Sequence, residues 1–264
     1  MIIAYHRPKT LDEALTLLAH PNRTPLGGGT LLAKLETDPV EAVDLQSLHL
    51  DSIEKQGNSL KISATVTLQA LLMSELCPDA LRSALKLEAP LNLRNAATVA
   101  GTLVSCDGRS TFVSVLLALD AKLEQMKSVD SKIESRTSNL GDFLPLRDLQ
   151  GWLITSITIP LNAKLAFDYV SRTPADKPIV CAALAQWNSG RTRLAFGGYS
   201  KSPLLAMDGT ESEGTDASSA GSVLRSAQAA ARNAFHEATD EWASAEYRMD
   251  VAAILARRCL ERIS

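Results

Sequence analysis

Nowhere in this 264-residue chain do two cysteines stand at a metal-ligand spacing. Cys77, Cys106, Cys181 and Cys259 are far apart, with no CxxC. That excludes the usual patterns for zinc or an iron–sulfur cluster and predicts reduced, mostly buried thiols. His6, His20, His49 and His236 show no paired spacing either, so no metal site is expected. No apolar run approaches the ~18 residues of a membrane span. An excess of basic charge is also missing: 27 Lys and Arg stand against 30 Asp and Glu, a net −3, which argues against nucleic acid or an anionic membrane as the main partner. The opening MIIAYHRPKT lacks the order of a signal peptide, and a cytoplasmic location is predicted. No Ser/His/Asp or Cys/His constellation can be assembled, so no nucleophilic chemistry is expected. Trp152, Trp187 and Trp242 are too scattered to suggest an aromatic cage.

What remains is the composition of an ordinary globular protein, 45% hydrophobic and 22% charged, long enough for two domains. Thr10 with Glu13 forms a capping box, and Leu11, Ala14, Leu15 and Leu18 predict a helix to about Ala19. TPLGGGTLLAKLE reads as a glycine turn opening into a helix-like segment, while EAVDLQSL and LKISATVTL alternate as strands. Thr67 can cap a helix through about Glu75, with further helices over Pro78–Leu87 and Phe112–Ala121. Residues 121–137 suggest a polar hairpin, and ITSITIP a strand ended by proline. The pattern indicates an α+β or α/β unit of about 160 residues. Beyond it, AFDYVSRT, PIVCAALAQW and RTRLAFGGYS predict three strands, the last two joined at Asn188-Ser189-Gly190. Residues 209–222 predict a mobile loop, and two helices follow at about 222–236 and 243–262. Tyr247, Val251, Leu255, Cys259 and Ile263 share a face of the second helix, whose Arg257-Arg258 complements its dipole. No internal repeat is present.

Two glycine-bearing turns stand out. In Gly27-Gly28-Gly29-Thr30, consecutive glycines permit positive φ and expose successive N–H groups, as a phosphate needs. The turn fits neither GxGxxG nor the P-loop, and a plain tight turn is the simpler reading. Thr98-Val99-Ala100-Gly101-Thr102 has the same logic: either the small residues let backbone approach an anion, or they serve close packing. Arg94-Asn95 either contacts a cofactor or holds loop carbonyls. Asp107 and Arg109 read as a solvated pair or a catalytic one.

Together these segments resemble the FAD-binding (medium) subunit of the molybdenum hydroxylases, the family of xanthine dehydrogenase and aerobic carbon monoxide dehydrogenase. GGGTLLA at 27–33 is similar to the family's AGGTDLL, and LRNAATVAGT at 93–102 to its IRNVATIGGN. The likeness continues through LLALDA, ITSITIP, GGYSKSPLLA and ASAEYRMDVAAILARRCLERI, in the family's order. It implies an α+β fold: a two-part FAD-binding domain (PCMH-like) over 1–163, with subdomains of about 1–55 and 56–163. A C-terminal α+β domain of a three-stranded sheet with helices would follow over 164–264.

The resemblance further implies FAD as cofactor, bound in part by Leu26, its diphosphate held by Gly27, Gly28, Gly29 and Thr30 on one side and by Thr98, Ala100, Gly101 and Thr102 on the other. Thr111 joins this set, and Leu153 would lie against the isoalloxazine ring. No catalytic side chain is implied, because the cofactor carries the chemistry. The implied partners are a small [2Fe–2S] subunit and a large molybdopterin subunit, with NAD or another acceptor receiving the electrons. The chain departs from the family pattern at Leu31, Ala100, Thr102, Thr111, Trp152 and Tyr169. A relative that has lost FAD and serves as a scaffold or assembly subunit would also depart in this way, and a different diphosphate ligand is a third reading.

Overall fold

A computed structural model describes residues 2–31, 39–130, 132–149, 151–174, 176–210 and 219–263. The chain forms two compact units, each assembled from three stretches. One comprises Met1–Leu76, Ala89–Ser105 and Lys122–Ile159; the other comprises Cys77–Glu88, Cys106–Ala121 and Pro160–Ser264.

The first unit opens with β1 (Ile2–His6), α1 (Leu11–Leu18), β2 (Arg23–Leu26) and β3 (Val40–Asp44). These strands make a parallel sheet in the order β1-β3-β2. Helix α1 begins as expected, with the Thr10 hydroxyl accepting from the Glu13 N–H at 3.3 Å. Its capping box is displaced by one residue, because the Glu13 carboxylate accepts from the N–H of Lys9 rather than Thr10. The helix-like segment expected after Thr30 lies almost wholly outside the described residues.

A second sheet of this unit has the order β4-β5-β8-β6-β7. Its strands are β4 (Ile53–Gln56), β5 (Ser59–Ser63), β6 (Lys122–Val129), β7 (Lys132–Asn139) and β8 (Leu153–Pro160). The polar hairpin read at 121–137 is β6–β7, in continuous antiparallel register from Lys122–Asn139 to Val129–Lys132. Short helices α2 (Leu68–Met73), α4 (Leu91–Ala96), α5 (Val99–Ser105) and α7 (Leu140–Leu146) complete the unit. Ala14, Leu15 and Leu18 of α1 pack with Val43, Leu45 and Leu153, so one helix seals the parallel sheet to the second one.

The second unit holds α3 (Asp79–Glu88), α6 (Thr111–Ala118), β9 (Lys164–Val170), β10 (Val180–Gln186), β11 (Arg191–Gly197), β12 (Leu204–Thr210), α8 (Ser219–Ala234) and α9 (Ala245–Ile263). Its sheet has four strands, β12-β11-β10-β9, where the sequence predicts three. The fourth was hidden for two reasons. Leu204 at its start is 48% exposed, so it gives no core signal. The β11–β12 register also shifts between Leu194 and Ala195, which breaks the alternation. Of the loop expected at 209–222, residues 209 and 210 end β12, residues 211–218 lie outside the described residues, and α8 already begins at Ser219.

From Val180 to Ala185, β10 is buried at every position. Val180, Ala182 and Leu184 face a core completed by α8 and α9. On the alternate set, Cys181 meets Ser114 of α6, and α6 packs on β10 and β11. Helices on both faces therefore explain why PIVCAALAQW is an unbroken apolar run rather than an alternating one.

Candidate functional site

Parallel strand β2 ends at Leu26 and runs into the first glycine turn. Gly29 sits at φ +70°, a conformation that favours glycine. A methyl on Gly28 would lie 1.7 Å from the carbonyl oxygen of Ala96. A methyl on Gly27 would meet Thr98 Oγ1 at 2.9 Å, and one on Gly101 would meet the same oxygen at 2.8 Å. The two turns are thus pressed together within the first unit, and the absent side chains are what allow it.

A cleft of about 180 Å³ runs along this junction. Leu26, Gly27, Gly28, Gly29, Thr30, Thr98, Ala100, Gly101 and Leu153 all line it, so nine of the eleven expected positions converge. The other two do not line it. Thr102 is turned into α5, its hydroxyl donating to the Thr98 carbonyl at 2.8 Å. Thr111 belongs to the second unit, fully buried, donating to Ala84 O at 2.7 Å and to Glu88 at 3.2 Å.

The first turn brings main-chain donors to the cleft. Among the described residues, no acceptor pairs with the N–H of Gly27, Gly28, Gly29 or Thr30. Thr98 Oγ1 accepts from the Gly101 N–H at 3.2 Å, which leaves its own proton to give. A turn of bare backbone donors beside a hydroxyl, with no carboxylate in the lining, suits a diphosphate. The residues present therefore fit the phosphate portion of FAD.

The opposite wall is apolar, and here sequence reasoning missed contributors. Trp152, Leu45 and Val104 line the cleft beside Leu153. Trp152 carries the Lys127 ammonium 4.7 Å and the Arg136 guanidinium 4.2 Å from its ring centroid. Both cations come from the β6–β7 hairpin, a long-range pairing that no local pattern announces. Leu31, where the family has an acid, also lines the cleft and is 42% exposed.

Other candidates resolve as structural. Arg94 donates to Ala89 O at 2.6 Å and to Gln69 Oε1 at 3.0 Å, holding α4 to α2. In the second unit Asp107 pairs with Lys177 at 3.3 Å, while Arg109 donates to the carbonyls of Lys177 and Pro178. Tyr169 stacks on Phe167 with ring centroids 6.0 Å apart. Burial pushes the Cys181 and Cys259 thiols up to about 12 and the Cys77 thiol to about 11, so all three stay protonated and unreactive near neutral pH. Among the described residues, no group of three or more His, Cys, Asp or Glu could hold a metal ion, and no helix is long and apolar enough to cross a membrane.

Comparison with known proteins adds a lineage to this geometry. Residues 1–162 match the family model described as the FAD-binding domain in molybdopterin dehydrogenase, and residues 165–263 match the CO dehydrogenase flavoprotein C-terminal domain. The chain is 27% identical to the carbon monoxide dehydrogenase medium chain of Afipia carboxidovorans, over 98% of this chain and 95% of that one. It is 30% identical to the uncharacterized protein YgfM of Escherichia coli K12, over 79% of each. Among solved structures, the cyanide-inactivated Cu,Mo-CO dehydrogenase matches with a TM-score of 0.80 and 25% identity, covering 100% of this chain and 98% of that one.

Proposed function

This chain belongs to the FAD-binding medium-subunit family of the molybdenum hydroxylases, and on that premise we propose that it relays electrons from an iron–sulfur subunit to NAD or another acceptor. As a flavoprotein component of an oxidoreductase complex, it has a small [2Fe–2S] subunit and a large molybdopterin subunit as its proposed partners. The observation that carries this reading is the first glycine turn. Its four N–H groups lack acceptors among the described residues, and its residues line a cleft free of carboxylates.

When bound, FAD supplies the redox chemistry, taking up electrons from one centre and releasing them to another. The chain's own work is binding and placement. Gly27 to Thr30 donate main-chain N–H groups to the diphosphate, and the Thr98 hydroxyl adds a further donor. Ala100 and Gly101 keep the facing wall low. Leu26, Leu153 and Trp152 exclude water from the apolar side, which strengthens each hydrogen bond made there. Thr102 acts from within α5, where its hydroxyl bonds the Thr98 carbonyl, rather than by touching the ligand.

The visible spectrum of the purified full-length protein, before and after incubation with excess FAD and desalting, tests this directly. A retained flavin band is expected. No band, with the two partner subunits also present, would favour a scaffold that has lost its cofactor.

A further inference from the structure

The two glycine turns have opposite hydrogen-bonding states. In the second turn the N–H groups from Val99 to Thr102 are already spent inside the protein. Val99 donates to Val66 O at 2.8 Å, Ala100 to Ala64 O at 3.2 Å and Thr102 to Thr98 O at 2.9 Å. Gly101 donates to Thr98 Oγ1 at 3.2 Å. The segment ahead of it is equally fixed, since Ala97 donates to Leu93 O at 2.7 Å and accepts from Leu68 at 2.9 Å. The first turn shows the reverse: donors without acceptors among the described residues, on a backbone held by contact with Ala96 and Thr98.

Resting on the flavin reading above, we propose that the grip is one-sided. The first turn supplies the main-chain donors for the diphosphate. The second is a rigid buttress whose Ala96 carbonyl and Thr98 side chain set the shape of the first, while the N–H groups of Val99 to Thr102 stay bonded inside the protein and are not given to the ligand. The small residues from Ala96 to Gly101 are then small for the sake of the neighbouring turn. Ala100 in place of the family's glycine follows from this, because a position whose N–H is already spent on Ala64 O has no need of a bare Cα.

Two substitutions separate a buttress from a second cradle. Ala100→Gly restores the backbone freedom a cradle would use. Gly27→Ala places a methyl 2.9 Å from Thr98 Oγ1 and 3.1 Å from its Cγ2, so Thr98→Ser in that background should relieve part of the crowding by removing the Cγ2 branch while keeping the hydroxyl. FAD dissociation constants would be measured on the full-length protein by flavin fluorescence, with a thermal melt to check folding. The expected pattern is a change within about twofold for Ala100→Gly, about tenfold weakening for Gly27→Ala, and recovery of at least half that loss (on a logarithmic scale) in the double variant. About tenfold tighter binding by Ala100→Gly, or no relief from Thr98→Ser, overturns the one-sided grip. If the wild-type protein binds inorganic pyrophosphate but not FAD, the flavin reading fails, and the same variants titrated with pyrophosphate decide the assignment. Binding of neither probe overturns both.

Discussion

Glu88 is the most instructive single residue outside the cleft. It is 7% exposed, yet its Oε2 accepts from Ser110 Oγ at 2.9 Å, Thr111 Oγ1 at 3.2 Å and the Phe112 N–H at 2.9 Å. One carboxylate thus ties the last turn of α3 to the first turn of α6, where the helix dipole also favours a negative charge. Glu88→Ala would leave the buried Ser110 hydroxyl and Phe112 N–H short of an acceptor, while Thr111 keeps the Ala84 carbonyl, and should cost roughly 2–4 kcal/mol of stability. Glu88→Gln, which keeps an acceptor oxygen, should cost about half as much. Urea denaturation of the two variants checks the order, and an Ala variant as stable as the wild type would remove Glu88 from this role. Sequence reasoning passed over Glu88, because its partners lie more than twenty residues away. Arg248 in the SAEYR motif was read only as a family signature. It is fully buried, bonded to Asp240 at 2.7 Å and Ala243 O at 3.0 Å, and stacked 5.3 Å from Tyr199. The turn glycines were legible because they stand adjacent in sequence, whereas Trp152 was not, since its role depends on a hairpin folding back over it.

The strand pairs carry the acid sensitivity of the fold. On β11 and β12, Arg191 bonds both carboxylate oxygens of Asp208, at 2.8 and 2.9 Å, and meets Asp120 at 3.0 Å. The hydrogen bond from Arg191 holds Asp208 below the usual carboxylate range, although burial works the other way. Glu124 on β6 is held low by Lys61 and then Ser156, and Glu41 on β3 by Arg23 and then His6. A carboxylate that binds protons more weakly when folded adds stability above its unfolded value of about 4, and that contribution vanishes as pH falls through the lower folded value. The melting temperature should therefore be flat from pH 7 to about 5 and fall below it. Arg191→Met should flatten that acid limb; an unchanged limb would show that these strand-borne pairs do not set it. Individual strands such as β6, β7, β10 and β11 were readable from alternation or unbroken apolarity. Sheet neighbours were not, because Lys61 and Glu124 meet only once β8 has inserted between their strands.

At the scale of the whole molecule, the order of the chain and the order of packing disagree. A boundary at 163/164 follows the sequence, and the two family models meet close to it, at 162 and 165. Packing recruits α3 and α6, encoded some fifty to eighty residues earlier, into the unit that holds β9 to β12. Those helices cover one face of a sheet whose central strand is buried on both sides. Ser114 of α6 lies 3.6 Å from Cys181 Sγ, and a methyl on Gly197 would stand 2.6 Å from the Ser114 hydroxyl. Stripped of α6, the sheet would present Cys181, Ala183 and Ala195 to water beside an unfilled groove. A fragment spanning 164–264 should therefore show no cooperative thermal transition and should bind a hydrophobic dye, while the full chain melts cooperatively. Supplying residues 77–121 on a separate peptide should restore at least part of the transition, because that segment contains both missing helices. A sharp melt in the 164–264 fragment alone would mean that its two-helix face suffices. The borrowed helices would then tether this unit to the rest of the chain without being needed to fold it.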